Sequence, residues 1–175
     1  MAAQQPPFAL SLALVGGNNP INYSTRAGQS LYTQAIEALP YTYEGDETSL
    51  PAFLLAVRNR AATAGWTDIF QITIGQDANN QPVLRDLLTR YREITLQNVR
   101  ADAQNDYIGQ QVRNAQIFHQ IYQCLTKSIS RDVTERLVTE TEKYHVNNVP
   151  DGPSLLMTII EIFFLKTKST PAQTM

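Results

Sequence analysis

The segment that follows Pro153 constrains the fold most strongly, because it is apolar on every side of a helix. Only Thr158 and Glu161 interrupt the run from Leu155 to Leu165, and its apolar residues recur at helical spacing: Leu155, Leu156, Ile159, Ile160, Phe163 and Phe164. A helix that is apolar all round is buried, so we expect several other elements to pack around this one. The run from Leu155 to Leu165 is far shorter than the ~20 residues that cross a bilayer. We therefore expect no membrane partner.

Five further segments carry apolar residues three or four positions apart, a spacing that predicts helices. They are 24–39, 49–64, 84–99, 104–128 and a segment from Ser130 to about Tyr144. Between them, Ile69 to Ile74 alternates apolar and polar residues as a strand does, but no other segment offers a convincing partner. We expect a turn-like connection there. The predicted fold class is accordingly all-α, a five- to six-helix bundle.

The two ends of the chain are expected to lie outside this bundle. Residues 1–22 contain Pro6-Pro7, Gly16-Gly17 and Asn18-Asn19-Pro20 around one apolar segment, which indicates an irregular N-terminal arm. The predicted helical domain covers 23–167, and 168–175 form a frayed tail. The arm lacks Lys and Arg ahead of its apolar run, whereas a secretory signal begins with basic residues. Together with a single cysteine, this predicts a cytoplasmic protein.

The charge content is low for a chain of this length. Asp, Glu, Lys and Arg make up 17% of the 175 residues, and the formal net charge is -2. An average soluble domain has about 25% charged residues. Weak net charge gives little repulsion between copies, which suits a protein that assembles. The 43% of hydrophobic residues excludes a wholly disordered chain.

No constellation of residues predicts catalysis, a cofactor or a metal. His119 and Cys124 are five positions apart on one predicted helix and point to different sides, so they cannot form an i, i+4 ligand pair. Glu44, Asp46 and Glu47 lack the spacing of a calcium loop, and Gly16-Gly17 precedes no basic helix. We predict that the protein is not an enzyme, with no catalytic, cofactor-binding or metal-binding residues.

Arginines are the remaining candidates for binding, as contacts to RNA phosphates. They cluster over a short stretch that holds Arg85, Arg90, Arg92, Arg100 and Arg113. Acidic residues interleave with them, among them Asp86, Glu93 and Asp102, so the local field is largely cancelled. A solvated face with ion pairs one helical turn apart is the alternative interpretation of the same pattern.

Two blocks of the sequence resemble a known family. Tyr43 to Trp66 contains an aromatic residue, a glycine and an acid, then a Phe-Leu helix that ends in Gly65-Trp66, and it resembles the opening of retrotransposon Gag capsid regions. The second block is similar to the Gag of Copia-type elements, particularly those of diatoms and other marine eukaryotes. It comprises 116–122, 125–130, Leu137, Tyr144, 151–156 and 167–170.

The resemblance implies an α-helical capsid lobe that self-associates into a particle around element RNA. Such Gag proteins usually continue into further helices and often a zinc knuckle, so it also implies an amino-terminal lobe or a truncated or domesticated copy. A homo-oligomer is the expected partner state, with element RNA a second partner. The alternative function is a helical adaptor or RNA-binding module that does not assemble.

Two apolar segments exceed what a small helical unit easily buries, and we predict that they mediate self-association. The candidate residues are Phe8 and Leu12 in the arm, and Leu156, Ile160, Phe163 and Phe164 in the last helix. The alternative is that both segments complete the core of the monomer.

Overall fold

The computed structural model describes residues 19–165, and this part of the chain is mostly helical. Helices α1 (Arg26–Ala35) and α2 (Leu50–Ala64) precede a hairpin of strands β1 (Gln71–Gln76) and β2 (Pro82–Asp86). Helices α3 (Leu96–Ile108), α4 (Val112–Thr126), α5 (Arg131–Val138) and α6 (Thr141–Tyr144) follow. A second hairpin pairs β3 (His145–Val146) with β4 (Val149–Pro150) and leads into α7 (Gly152–Ile160), which a π-helical turn (Glu161–Leu165) extends.

Helix α7 forms the centre of the core, as its all-round apolarity predicts. Each of its nine residues is buried, and α3, α4 and α6 pack against it. Gly152 lies at the closest crossing with α4. A Cβ atom on Gly152 would lie 2.5 Å from Cβ of Ile121 and 2.6 Å from the carbonyl oxygen of Phe118. Glycine is therefore required where α7 meets α4.

Helices α1 and α2 lie in the segments 24–39 and 49–64 that the spacing of apolar residues predicts, and local signals fix their ends. Thr25 caps α1 by accepting a hydrogen bond from the amide of Gly28 at 3.0 Å. Helix α2 has Pro51 in its first turn and ends at Gly65, whose φ of 80° is the left-handed conformation that glycine adopts most readily. Trp66 then folds back into the core, where its indole Nε1 donates to Oε1 of Gln120 at 3.0 Å.

The β1–β2 hairpin contradicts the prediction of a turn at 69–74 and a helix at 84–99. Its strands pair antiparallel, with Ile72 opposite Arg85 and a bulge between Thr73 and Gly75. Residues after β2 form a turn that buries Leu87 and Leu88, and a helix starts only at Leu96. The apolar residues from Leu84 to Ile94 have helical spacing, but they serve a strand, a turn and a 3-10 turn in succession.

Two longer predicted helices are each divided in two. The predicted helix 104–128 is broken at Gly109 and at Gln110, whose φ is 56°, so α3 and α4 are separate. The predicted helix after Ser130 ends at Val138 and resumes briefly as α6. The fold is thus helical with two small hairpins rather than purely all-α.

One continuous core runs from Ile21 to Phe164. Ile21 falls within the predicted arm, yet it is buried, and its backbone pairs with the side-chain amide of Gln116 through hydrogen bonds of 2.7 and 3.0 Å. Residues 1–18 of the arm, and the predicted tail 168–175, lie outside the described residues.

Candidate functional site

The self-association residues predicted in the last helix lie mostly inside the core. Leu156 and Ile160 have no exposed surface, and Phe164 is 6% exposed. Phe163 is half-buried and packs edge-on against the ring of Tyr43, with ring centroids 6.1 Å apart. Side chains in these positions complete the monomer, which corrects the prediction that Leu156, Ile160 and Phe164 form a surface between copies. Phe8 and Leu12 lie outside the described residues.

An exposed apolar surface lies instead on α2. Leu55 has 55% of its surface exposed, although it stands in the middle of a helix that buries Phe53, Leu54 and Val57. Neighbours on the same side of the helix are small or polar, and with Leu55 they define what we call the Leu55 face: Ala52, Leu55, Ala56, Asn59 and Thr63. These positions recur at intervals of three or four residues, so they form one stripe along α2.

Two shallow grooves border the Leu55 face. One, of ≈ 380 Å³, lies between α2 and the segment at Leu39 and Pro40, with Arg60 in its wall. The other, of ≈ 230 Å³, lies between α2 and the turn after β2, with Arg58 and Tyr91 in its wall. Leu55 lines both grooves. The face therefore consists of a projecting leucine between two concave flanks.

Sequence reasoning missed this surface. Phe53, Leu54 and Leu55 are consecutive and span about 200° around the helix, so a helix seated on one core leaves one end of this run exposed. The sequence contains that signal, but which leucine faces the core depends on how α2 packs against the rest of the chain.

Both charged residues of α2 are arginines. Arg58 and Arg60 lie in its C-terminal half, and the helix contains no acidic residue. Nη1 of Arg60 donates to the carbonyl oxygens of Ala35 (2.9 Å) and Glu37 (2.7 Å), which holds its guanidinium at the end of α1.

The turn before α2 is acidic, with Glu44, Asp46 and Glu47 in four residues. Asp46 accepts hydrogen bonds from the hydroxyls of Ser49 and Thr48, and these lower the pKa of its carboxyl. One end of α2 is thus negative and the other positive.

The arginines predicted to contact RNA have intramolecular roles. Arg85 and Arg90 both pair with Glu93, which neutralises part of their charge. Arg92 places its guanidinium 5.0 Å from the ring centre of Phe164 and 5.5 Å from that of Tyr91, a cation–π arrangement. Arg90 and Arg92 remain exposed.

Arg100 and Arg113 serve the fold more directly. Nη1 of Arg100 donates to three carbonyl oxygens, those of Glu142, Lys143 and His145, at 2.8–2.9 Å, and so caps α6. Arg113 is 5% exposed, and its Nε and Nη2 have no hydrogen-bond partner within residues 19–165. Burial lowers its pKa, an effect that Asp68 partly offsets. A side chain so enclosed offers no surface to RNA, which corrects the prediction for Arg113.

An acidic cleft of ≈ 260 Å³ lies between β1, α3 and α4, and its carboxyl groups are Asp68, Asp102 and Asp106. Asp102 accepts a hydrogen bond from the amide of Thr73 at 2.8 Å, and Asp106 accepts one from Nδ2 of Asn114 at 3.1 Å. Burial raises the pKa of both carboxyls. Within residues 19–165, no three His, Cys, Asp or Glu side chains are grouped closely enough to hold a metal ion.

The thiol of Cys124 is fully buried, and burial raises its pKa. Its Sγ contacts the carbonyl oxygen of Glu37 at 3.3 Å. His119 is exposed beside Tyr23 and Tyr32. The two residues therefore lie in different environments, and the buried thiol has the character of a packing residue.

Neither a protein-family model, nor a curated protein, nor a solved structure matches this chain. Among the helices of residues 19–165, none has both the length and the apolarity that a membrane span requires.

Proposed function

We propose that this chain is a structural protein of the Gag capsid type, from a Copia-like retrotransposon, that self-associates into a particle enclosing element RNA. The observation that carries the proposal is the Leu55 face. It is an exposed surface centred on Leu55 and bordered by two grooves, on the helix that the Gag-like segment Tyr43 to Trp66 contains.

The Gag-like segment supports the proposal because its distinctive residues position this helix. Tyr43 is fully buried and stacks on Phe53, with ring centroids 4.9 Å apart. Gly45 has a φ of 93°, and a Cβ there would lie 3.2 Å from atoms of Phe163 and Val133. The resemblance therefore extends over residues that fix the orientation of α2 and so determine which side of it is exposed.

Weak net charge also favours association. A formal charge of -2 gives little long-range repulsion between copies, and large assemblies form from many individually weak contacts. The RNA part of the proposal rests on the resemblance, since Glu93 offsets Arg85 and Arg90 and the fold encloses Arg113.

Electron microscopy of the purified protein, combined with nuclease protection of co-purified RNA, tests the proposal. We expect regular particles that hold RNA resistant to nuclease. Particles without protected RNA would contradict the RNA part. Monomers that bind RNA with an affinity falling steeply as salt rises would instead identify the non-assembling RNA-binding module, and monomers that bind no RNA would contradict both functions.

A further inference from the structure

We propose that the Leu55 face binds the same face of a second copy, with the two α2 helices antiparallel about a two-fold axis. The inference rests on the proposed self-association and specifies the surface that performs it. Leu55 is the most exposed large apolar side chain of α2, at 55%, whereas Phe53, Leu54 and Val57 on the inner side of the helix are buried in the core of residues 19–165.

The shape of the face is complementary to itself. Leu55 projects between Ala52 and Ala56, whose short side chains leave depressions on the same stripe. Under a two-fold axis, each leucine inserts beside the alanines of the other copy, as knobs insert into holes between packed helices. A two-fold contact uses the same patch on both copies, so one projecting residue with adjacent depressions is sufficient to build it.

The distribution of charge selects the antiparallel orientation. Antiparallel packing brings Arg58 and Arg60 of one copy toward Glu44, Asp46 and Glu47 of the other. A register that sets Leu55 beside Ala52 of the second copy places Arg58 level with its Ser49, two positions from its Glu47. Parallel packing would instead place like charges together and align the helix dipoles. Within α2 itself no carboxylate competes for these arginines, because the helix contains no acidic residue.

Sedimentation equilibrium on Leu55→Asp, with Ile108→Asp as the matched control, tests the interface. Ile108 is 69% exposed at the end of α3 and lies outside the Leu55 face. We expect Leu55→Asp to weaken association about tenfold or more, because it places two charges in a closed apolar contact, and to leave the melting temperature near that of wild type. We expect Ile108→Asp to associate as wild type does.

Charge reversal tests the orientation. Arg58→Glu should weaken association several-fold, and adding Glu47→Lys should restore part of the loss, since the pair is then reversed across the contact. Recovery by the double variant would support antiparallel packing. Failure of Glu47→Lys to recover any association, in a double variant that melts as Arg58→Glu does, would overturn the orientation.

The outcomes separate this inference from the proposed function. If wild type associates and Leu55→Asp associates equally well, the proposed interface is overturned while self-association stands. If Leu55→Asp lowers the melting temperature and leaves association unchanged, the face is covered by another part of the same chain, which also overturns the inference. If wild type does not associate, both the interface and the self-association are contradicted.

Discussion

Asp151 is the side chain whose ionisation bears most directly on the fold. It is fully buried and caps α7, since its Oδ2 accepts hydrogen bonds from the amide of Ser154 (2.9 Å) and from its hydroxyl (2.6 Å). Its Oδ1 has no partner within residues 19–165. Burial raises the pKa of Asp151 to about 6, although Ser154 and Arg100 act in the opposite direction and Asp106 adds to the rise.

The raised pKa of Asp151 predicts that stability falls as pH rises. The folded state holds the proton more tightly than the unfolded state, so this group contributes stability that is present at low pH and lost between about pH 4 and pH 6. Asp151→Asn keeps an oxygen that can cap α7 and removes the titration. Urea unfolding at a series of pH values should show the free energy of unfolding of wild type, relative to Asp151→Asn, falling by roughly 2–3 kcal/mol over that range.

Comparison of wild type with Asp151→Asn isolates the contribution of Asp151 to the pH dependence of stability. Asp102 and Asp106 also have raised pKa values and act in the same direction, whereas Asp46 and Glu93 have lowered pKa values and act oppositely. All four are shared by both proteins. A difference between the two proteins that is independent of pH would show that Asp151 does not titrate as described.

The close contact of Gly152 with α4 leads to a prediction about stability. A methyl group at Gly152 overlaps Ile121 and the backbone of α4, so Gly152→Ala should destabilise the protein by about 1–3 kcal/mol or more. Gly75→Ala is the control, because nothing lies within 4 Å of a Cβ there, and it should change stability by less than about 0.5 kcal/mol. Thermal unfolding of both variants measures the contrast; equal melting temperatures would contradict the close approach of α7 to α4.

Elements that carry their own boundary signals could be predicted from the sequence. Helices α1, α2 and α7 begin at caps or prolines and are placed correctly within a few residues. The β1–β2 hairpin could not be predicted in this way, because the spacing of Leu84, Leu87 and Leu88 fits a helix equally well. Residues 82–86 form a strand because they pair with β1, and the sequence pattern of 82–86 alone does not reveal that pairing.

The same limit applied to the candidate site. The last helix and α2 are both rich in apolar residues, so composition does not distinguish a buried side from an exposed one. Leu156 and Ile160 are enclosed, whereas Leu55 is exposed. Exposure is decided by how many elements surround a helix. Three helices pack on α7, whereas α2 lies at the periphery with one side open.

The side chain of Asp77 stabilises the turn of the first hairpin. Oδ1 of Asp77 accepts hydrogen bonds from the amides of Asn79 (2.8 Å) and Gln81 (3.0 Å), and so stabilises the turn between β1 and β2. Asp77→Ala should lower the free energy of unfolding by about 1 kcal/mol. Urea unfolding checks this, with Gln76→Ala as the control at an exposed neighbouring position. Equal losses in the two variants would show that the Asp77 hydrogen bonds do not stabilise the turn.

Residues 19–165 combine a closed core with an exposed leucine between two grooves on α2. Within residues 19–165, Cys124 is buried, and the side chains of the acidic cleft do not form a group close enough to hold a metal ion. The exposed apolar surface of α2 and the net charge of -2 both favour contacts between copies. Self-association is therefore the property on which the proposed capsid role depends.

Static light scattering over a range of protein concentrations, at low and at high salt, tests that property most directly. The proposed function predicts a mean mass that rises well above the 19.6 kDa of one chain as concentration increases. High salt should not abolish the rise, because it screens charge and leaves apolar contacts intact. A mass that stays at 19.6 kDa up to millimolar concentration in both conditions would contradict it.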